Sequence, residues 1–134
     1  MKVTHLEGEA IQRARGYSPA VITEGGRIVW LSGHVAPTDA QGRDLSADFD
    51  AQVHRVFQLL DETLARAGGK LSHLVSMTVY LAKQEDIPSF LAIRTRLFPP
   101  PASPTSALLV VSGFARPGIR VEIQGTAVME GSNV

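Results

Sequence analysis

Two hydrophobic periods alternate along the chain, and their order predicts its elements. Ala20 to Thr23 is a short β-like run, Glu24-Gly25-Gly26 has turn chemistry, and Arg27 to Ser32 resumes with β-branched and aromatic residues. Two such runs across a Gly-Gly turn predict a β-hairpin. Pro37 to Gly42 is a loop by its turn residues. A period of three and four then sets in, with Phe49, Val53, Val56, Phe57, Leu60 and Leu64 on one face. It predicts a helix over about residues 47 to 67, with Ser46 as N-cap and Gly68-Gly69 as stop. Period two returns where Val75, Met77, Val79 and Leu81 alternate with Ser76, Thr78 and Tyr80, a strand with one apolar face. Glu85 to Phe98 predicts a second helix with Ile87, Phe90, Leu91, Arg94 and Leu97 as periodic positions. Pro88 is tolerable only in its first turn, and Pro99-Pro100-Pro101 ends it. Strands at Ala107 to Ser112 and Arg120 to Val128 close the chain.

That order predicts one α+β domain over residues 1–134, with a mixed sheet of about six strands and two helices on one face. Leu108 and Val110 point opposite to Leu109 and Val111, so both sides of that strand are apolar. Two helices cover one side only. A partner subunit in a closed homo-oligomer is the economical cover for the other.

Composition narrows the function classes. The 134 residues suffice for one core, and 44% hydrophobic with 19% charged residues excludes the disordered class. Lys+Arg and Asp+Glu each number 13, without any basic run, so no nucleic-acid partner is expected. The absence of Cys removes disulfide scaffolds, thiolate zinc sites and cysteine nucleophiles. Met1 to Ala10 lacks an apolar leader core, and the late apolar run Ala107 to Val111 is too short for a bilayer. The reading is a cytoplasmic protein without membrane association. Phosphate-binding glycine loops and metalloprotease or hydrolase motifs do not occur, and His5, His34, His54 and His73 are not spaced as metal ligands. Neither metal nor cofactor is expected.

Three local clusters carry candidate chemistry. Gly16-Tyr17-Ser18 opens the first β run with a side chain that can stack or donate a hydrogen bond. Ser32-Gly33-His34 ends the second run, where exposed backbone N–H groups suit a carboxylate. His34 is of the residue type most used for acid–base work. Arg120 and Glu122 stand two apart in the last strand, on one face.

In order along the chain, GYSPAV (Gly16 to Val21), VWLSGHV (Val29 to Val35), LVSMTVYL (Leu74 to Leu81) and VEIQGTAV (Val121 to Val128) form a set that resembles the RidA/YjgF family, also called L-PSP or reactive-intermediate deaminases. The resemblance spans nearly the whole chain. It implies a chorismate-mutase-like fold, a homotrimer with ligand clefts between neighbouring subunits, and hydrolysis of enamines and imines with release of ammonia. It further implies that Tyr17, backbone near Gly33, and Glu122 line the cleft. One departure stands out. Deaminase members carry, in a Pro-Ala-Arg-Ser/Thr segment, an Arg that grips the substrate carboxylate bidentately. Counting back from Glu122 reaches Ala107, or Ser106 with a loop one residue longer, and no Arg is at or next to that position. Arg116 and Arg120 do not match the family pattern, and His34 replaces a more usual Gln. The expectation is a trimer binding a small, mostly apolar or neutral metabolite through Tyr17, Ser32, Gly33, Ser106, Ala107 and His34. The alternative is an enamine/imine deaminase or related C–N hydrolase, with Glu122 positioning water and His34 assisting. An endoribonuclease, an activity attributed to some relatives, is least compatible with zero net charge.

Overall fold

In the computed structural model, which describes residues 1–131, alternation in sequence becomes alternation in burial. Positions 132–134 of the expected domain lie outside the described residues. Strand β4 (Leu74–Leu81) buries Leu74, Met77, Val79 and Leu81 and leaves Ser76, Thr78 and Tyr80 half-buried. Leu74 and Met77 are three apart yet both point inward, because the ladder to strand β6 (Val121–Met129) shifts register between Leu74 and Ser76. Strands β3 (Arg27–His34) and β5 (Thr105–Val110) complete a four-stranded sheet in the order β3-β6-β4-β5. β6 is antiparallel to both neighbours. β4 and β5 are parallel and are joined through helix α3 (Ile87–Leu97).

Helix α2 (Phe49–Arg66) carries the expected apolar stripe and buries Val53, Val56, Phe57, Leu60 and Leu64 against one face of the sheet. Its N-cap is Asp48, whose side chain accepts from the Ala51 N–H at 3.0 Å, and not Ser46. The second helix begins later than expected, because a 3₁₀ turn occupies Gln84–Asp86 and the α-helix starts at Ile87, with Pro88 in its first turn. Phe90 of α3 stacks near Phe57 of α2, with ring centroids 6.2 Å apart.

Three expectations change. The six strands divide between the four-stranded sheet and a two-stranded one made of β1 (Lys2–His5) and β2 (Val21–Glu24). The anticipated hairpin is therefore not a ladder: β2 pairs with β1, and β3 pairs with β6. The Gly25-Gly26 turn is present, with both φ angles positive, but it carries the chain from one sheet to the other. A third helix, α1 (Ala10–Arg15), joins the two expected ones. It buries no residue, so it has no apolar stripe to announce it.

The strand order also settles which faces are covered. Ser106 and Leu108 pair with Met77 and Val79 and so share the helix side, while Leu109 pairs with Tyr80 on the open side. β5 is an edge strand, and β6 and β4 are central. The open side carries Trp30 at 78%, Ile28 at 55% and Leu109 at 45% exposure in the single chain.

The loop entering β6 is held from below by a buried amide. Gln52 Nε2 donates to the carbonyls of Leu45 (3.2 Å) and Gly118 (3.1 Å), and its Oε1 accepts the Arg120 N–H at 2.7 Å. The Arg120 guanidinium reaches both Asp86 oxygens, at 3.0 and 2.9 Å, and lies 5.3 Å from the Phe49 ring centroid. Arg120 is thus engaged away from Glu122. Replacing Gln52 by Leu keeps the bulk and orphans the Gly118 carbonyl and the Arg120 N–H, while the Leu45 carbonyl keeps the Asp48 N–H. Urea unfolding is expected to show a loss of about 2–3 kcal/mol, and a loss below ~0.5 kcal/mol would mean the loop is ordered by other contacts.

Candidate functional site

Most of the sequence-derived candidates fall into two groups, Tyr17 with Ser106 on the helix side of the sheet and Gly33 with Glu122 on its open side. The first forms around Tyr17 and Ser106. Helix α1 ends at Gly16, whose φ of 75° is the left-handed cap that turns the chain toward α3. A Cβ at Gly16 would stand 2.5 Å from Thr95 Oγ1, so a glycine also permits the close approach of the two helices. Ser18 then anchors the loop to the segment before β5: its N–H donates to the Pro104 carbonyl at 3.0 Å and its hydroxyl to the Ser103 carbonyl at 2.6 Å. These bonds place Tyr17 and Ser106 on one cleft of about 150 Å³, lined also by Arg15, Leu91, Arg94 and Leu108.

Arg94 was legible only as a periodic position of the second helix, and here it is the most buried cation of the chain. It is 1% exposed. Its Nη1 donates to Ser106 Oγ at 2.5 Å and its Nη2 to the Arg15 carbonyl at 2.8 Å. The guanidinium lies 5.2 Å from the Phe90 ring centroid and 6.0 Å from that of Tyr17. No carboxylate of the described residues comes within ion-pair distance of it. Burial, with the like charge of Arg15 adding to it and Tyr17 partly offsetting it, pushes the Arg94 pKa down to about 10. A base depressed in this way destabilises the fold while it is charged. The penalty is therefore present at neutral pH and is relieved only as pH rises through about 10. A guanidinium thus stands beside Ser106 although β5 itself contributes none. It comes from α3, and its signal in the sequence was a charged residue in phase with Phe90, Leu91 and Leu97.

The second group gathers where β3 ends against β6. The ladder shifts register between Leu31 and His34, which bulges Ser32 and Gly33 out of regular pairing. The Glu122 carboxylate lies directly over Gly33, so close that any Cβ there would overlap it. Glu122 therefore rests on bare backbone. His34 turns toward α2 instead. Its Nδ1 lies 2.7 Å from the Ser32 carbonyl, and its Nε2 lies 2.8 Å from Thr63 Oγ1. Since a carbonyl only accepts, Nδ1 carries the proton, and the Thr63 hydroxyl donates to Nε2 in the neutral ring. Both nitrogens are occupied. Ala107, one residue beyond Ser106, faces the open side of the sheet and shares no cleft with Tyr17. Among the described residues no group of three His, Asp or Glu side chains is placed to hold a metal ion, and no helix is long and apolar enough to cross a membrane.

Residues 7–129 match the family model described as endoribonuclease L-PSP. The protein DfrA of Myxococcus xanthus is 34% identical over 112 residues, covering 84% of each chain. Among solved structures, YyfB of Yersinia pestis, a Rid-family protein of unknown function, superposes with a TM-score of 0.83 at 24% identity, covering 96% of this chain and 100% of that one. A Mycobacterium tuberculosis member of the YjgF/YER057c/UK114 family gives 0.66 at 23% identity, with 96% and 100% coverage. The α+β architecture described above is the one these structures share.

The two glycines of the site respond differently to an added methyl group. Gly16→Ala meets a positive φ and a packed helix, and is expected to lower stability by about 2 kcal/mol or more. Gly33→Ala meets only the mobile end of Glu122, so about 1 kcal/mol or less is expected while the carboxylate is displaced. Equal losses in urea unfolding would contradict this account of the two positions.

Proposed function

The chain belongs to the endoribonuclease L-PSP family, the Rid/YjgF proteins, and on that premise we propose that it binds a small metabolite in clefts between the subunits of a homotrimer. The observation that carries this reading is the bare face of the four-stranded sheet. Trp30 and Ile28 on edge strand β3 and Leu109 on the opposite edge strand β5 expose large apolar side chains on that face, which a second copy would cover. Three is the copy number implied by the family resemblance, and a ring closes the assembly without leaving a free face.

The separation of the two residue groups supports the same reading. Ser106 pairs with Met77, and Glu122 pairs with Tyr80, three residues further along β4 and on its other side. With two strand spacings between β5 and β6, they are ~10 Å apart in each direction and on opposite faces. A single small ligand does not touch both within one copy. A seam that brings Tyr17 and Ser106 of one subunit to Ser32, Gly33 and Glu122 of the next would complete the site.

Glu122 above the Gly33 backbone favours a second reading, a C–N hydrolase. Water would add to the carbon of an imine or enamine-derived imine while Glu122 takes its proton, and ammonia would leave as the carbonyl forms. A ribonuclease role finds no support in a chain of zero net charge without a basic stripe.

Light scattering is expected to give about three times the 14.4 kDa chain mass at micromolar concentration. Leu109→Asp should dissociate or unfold the assembly, because burying an unpaired carboxylate costs several kcal/mol. A stable monomer sinks the proposal. With 2-iminopropanoate generated in situ, ammonia release above the buffer rate that Glu122→Ala abolishes, at unchanged mass, would establish the hydrolase. A rate equal to buffer removes it.

A further inference from the structure

We infer that the Arg94 cleft takes a small dicarboxylate, with one carboxylate on Arg94 at its inner end and the other on Arg15 at its mouth. The inference rests on the proposed metabolite site, since it names the ligand class for the Tyr17–Ser106 half, but it does not depend on the number of copies.

Arg94 has donors to spare. A guanidinium carries five N–H groups. Two have acceptors here, Ser106 Oγ and the Arg15 carbonyl, which leaves three. Among these is the Nε–H, which is fully buried and has no partner. Buried polar groups are almost always satisfied, and an unpaired buried cation is among the costliest exceptions. An apolar side chain would pack against Phe90 at no such cost, so the charge calls for a ligand. A planar carboxylate fits the guanidinium fork better than any neutral oxygen.

Arg15 sets the second charge. It lines the same cleft, its side chain is exposed, and it repels Arg94. No acid pairs with it among the described ion pairs. Within one copy the cleft therefore presents two cations and no anion. A monoanion leaves one of them uncompensated, whereas a dianion neutralises both. Between them Leu91 and Leu108 offer apolar walls for a short carbon chain, and Tyr17 and Ser106 offer hydroxyls. A cavity of about 150 Å³ is the size that admits a benzene-sized molecule, which suits a four- or five-carbon acid whose outer end sits at the mouth.

Calorimetric titration of the full chain with succinate, butanoate and succinamide tests this directly. Succinate should bind at least about tenfold more tightly than butanoate, and succinamide should show no saturable binding. Arg15→Gln, an exposed change, should reduce succinate to the level of butanoate. Arg94→Met should weaken succinate by about thirtyfold or more without lowering the thermal midpoint, an outcome that a purely structural arginine would not give. Should Arg94→Met fail to fold, Arg94→Lys keeps the charge and loses the fork, and a loss of about tenfold is expected. Equal affinity for succinate and butanoate, equal affinity for succinamide, unchanged binding in either Arg94 variant, or no saturable binding of any probe would overturn the inference. Mass measured on the same samples separates the two readings. A trimer that ignores succinate sinks the dicarboxylate alone, and a monomer that binds it sinks the assembly alone.

Discussion

A four-stranded sheet has two faces, and α2 and α3 dry only one of them. The chain spends its long apolar side chains on that side: Phe57, Leu60 and Leu64 from α2, Phe90 from α3, and Met77, Val79, Ile123 and Val121 from the central strands. The opposite side is neither polar nor covered. It mixes Ser76, Thr78, Gln124 and Thr126 with Trp30, Ile28 and Leu109, a composition closer to an interface than to a solvated sheet. The two-stranded sheet of β1 and β2 is not hydrogen-bonded to the main ladder. This one-sidedness makes assembly the economical completion of the fold, and it leaves the two halves of the candidate site on different sides of a thin layer.

Within that frame the site is assembled by backbone devices more than by a motif. Ser18 and Ser103 stitch the Tyr17 loop to the start of β5, Gly16 lets α1 close on α3, and the β3 bulge exposes the Gly33 backbone beneath Glu122. Arg94 is the exception to the economy of the core. It occupies a position where a hydrophobic side chain would pack well, and its charge is tolerated through two hydrogen bonds and the faces of Phe90 and Tyr17. In the inferred site, stability and ligand binding pull in opposite directions at this residue.

Long periodic segments were legible and short ones were not. The six apolar positions of α2 announced it to within two residues at each end, and β4 followed from its alternation. β1 and α1 escaped because four and six residues are too few to establish a period, and α1 buries nothing. The Gly-Gly turn was visible but not which strands it would separate, since pairing is decided by β1 and β6, remote in the chain. At the site, Tyr17, Ser106, Gly33 and Glu122 were each legible as candidates, and their grouping into two pairs on two sides of the sheet followed only from the strand order. Arg94 could have been suspected from its phase, because a charged residue on the apolar stripe of a helix needs a reason to be there. Arg116 and Arg120 lie along the last strand and its loop, whereas the guanidinium beside Ser106 comes from α3 on the same side of the sheet.

Trp30 offers the most direct test of the central claim that copies of this chain cover the open face. It is the only tryptophan in the sequence, and in the isolated chain it is 78% exposed. Its emission and its quenching by acrylamide therefore report that face alone. A covered face predicts blue-shifted emission and strong protection from quenching in the native protein, both lost in urea. Native emission and quenching equal to those of the unfolded chain would mean that the face stays wet and that the account of assembly is wrong.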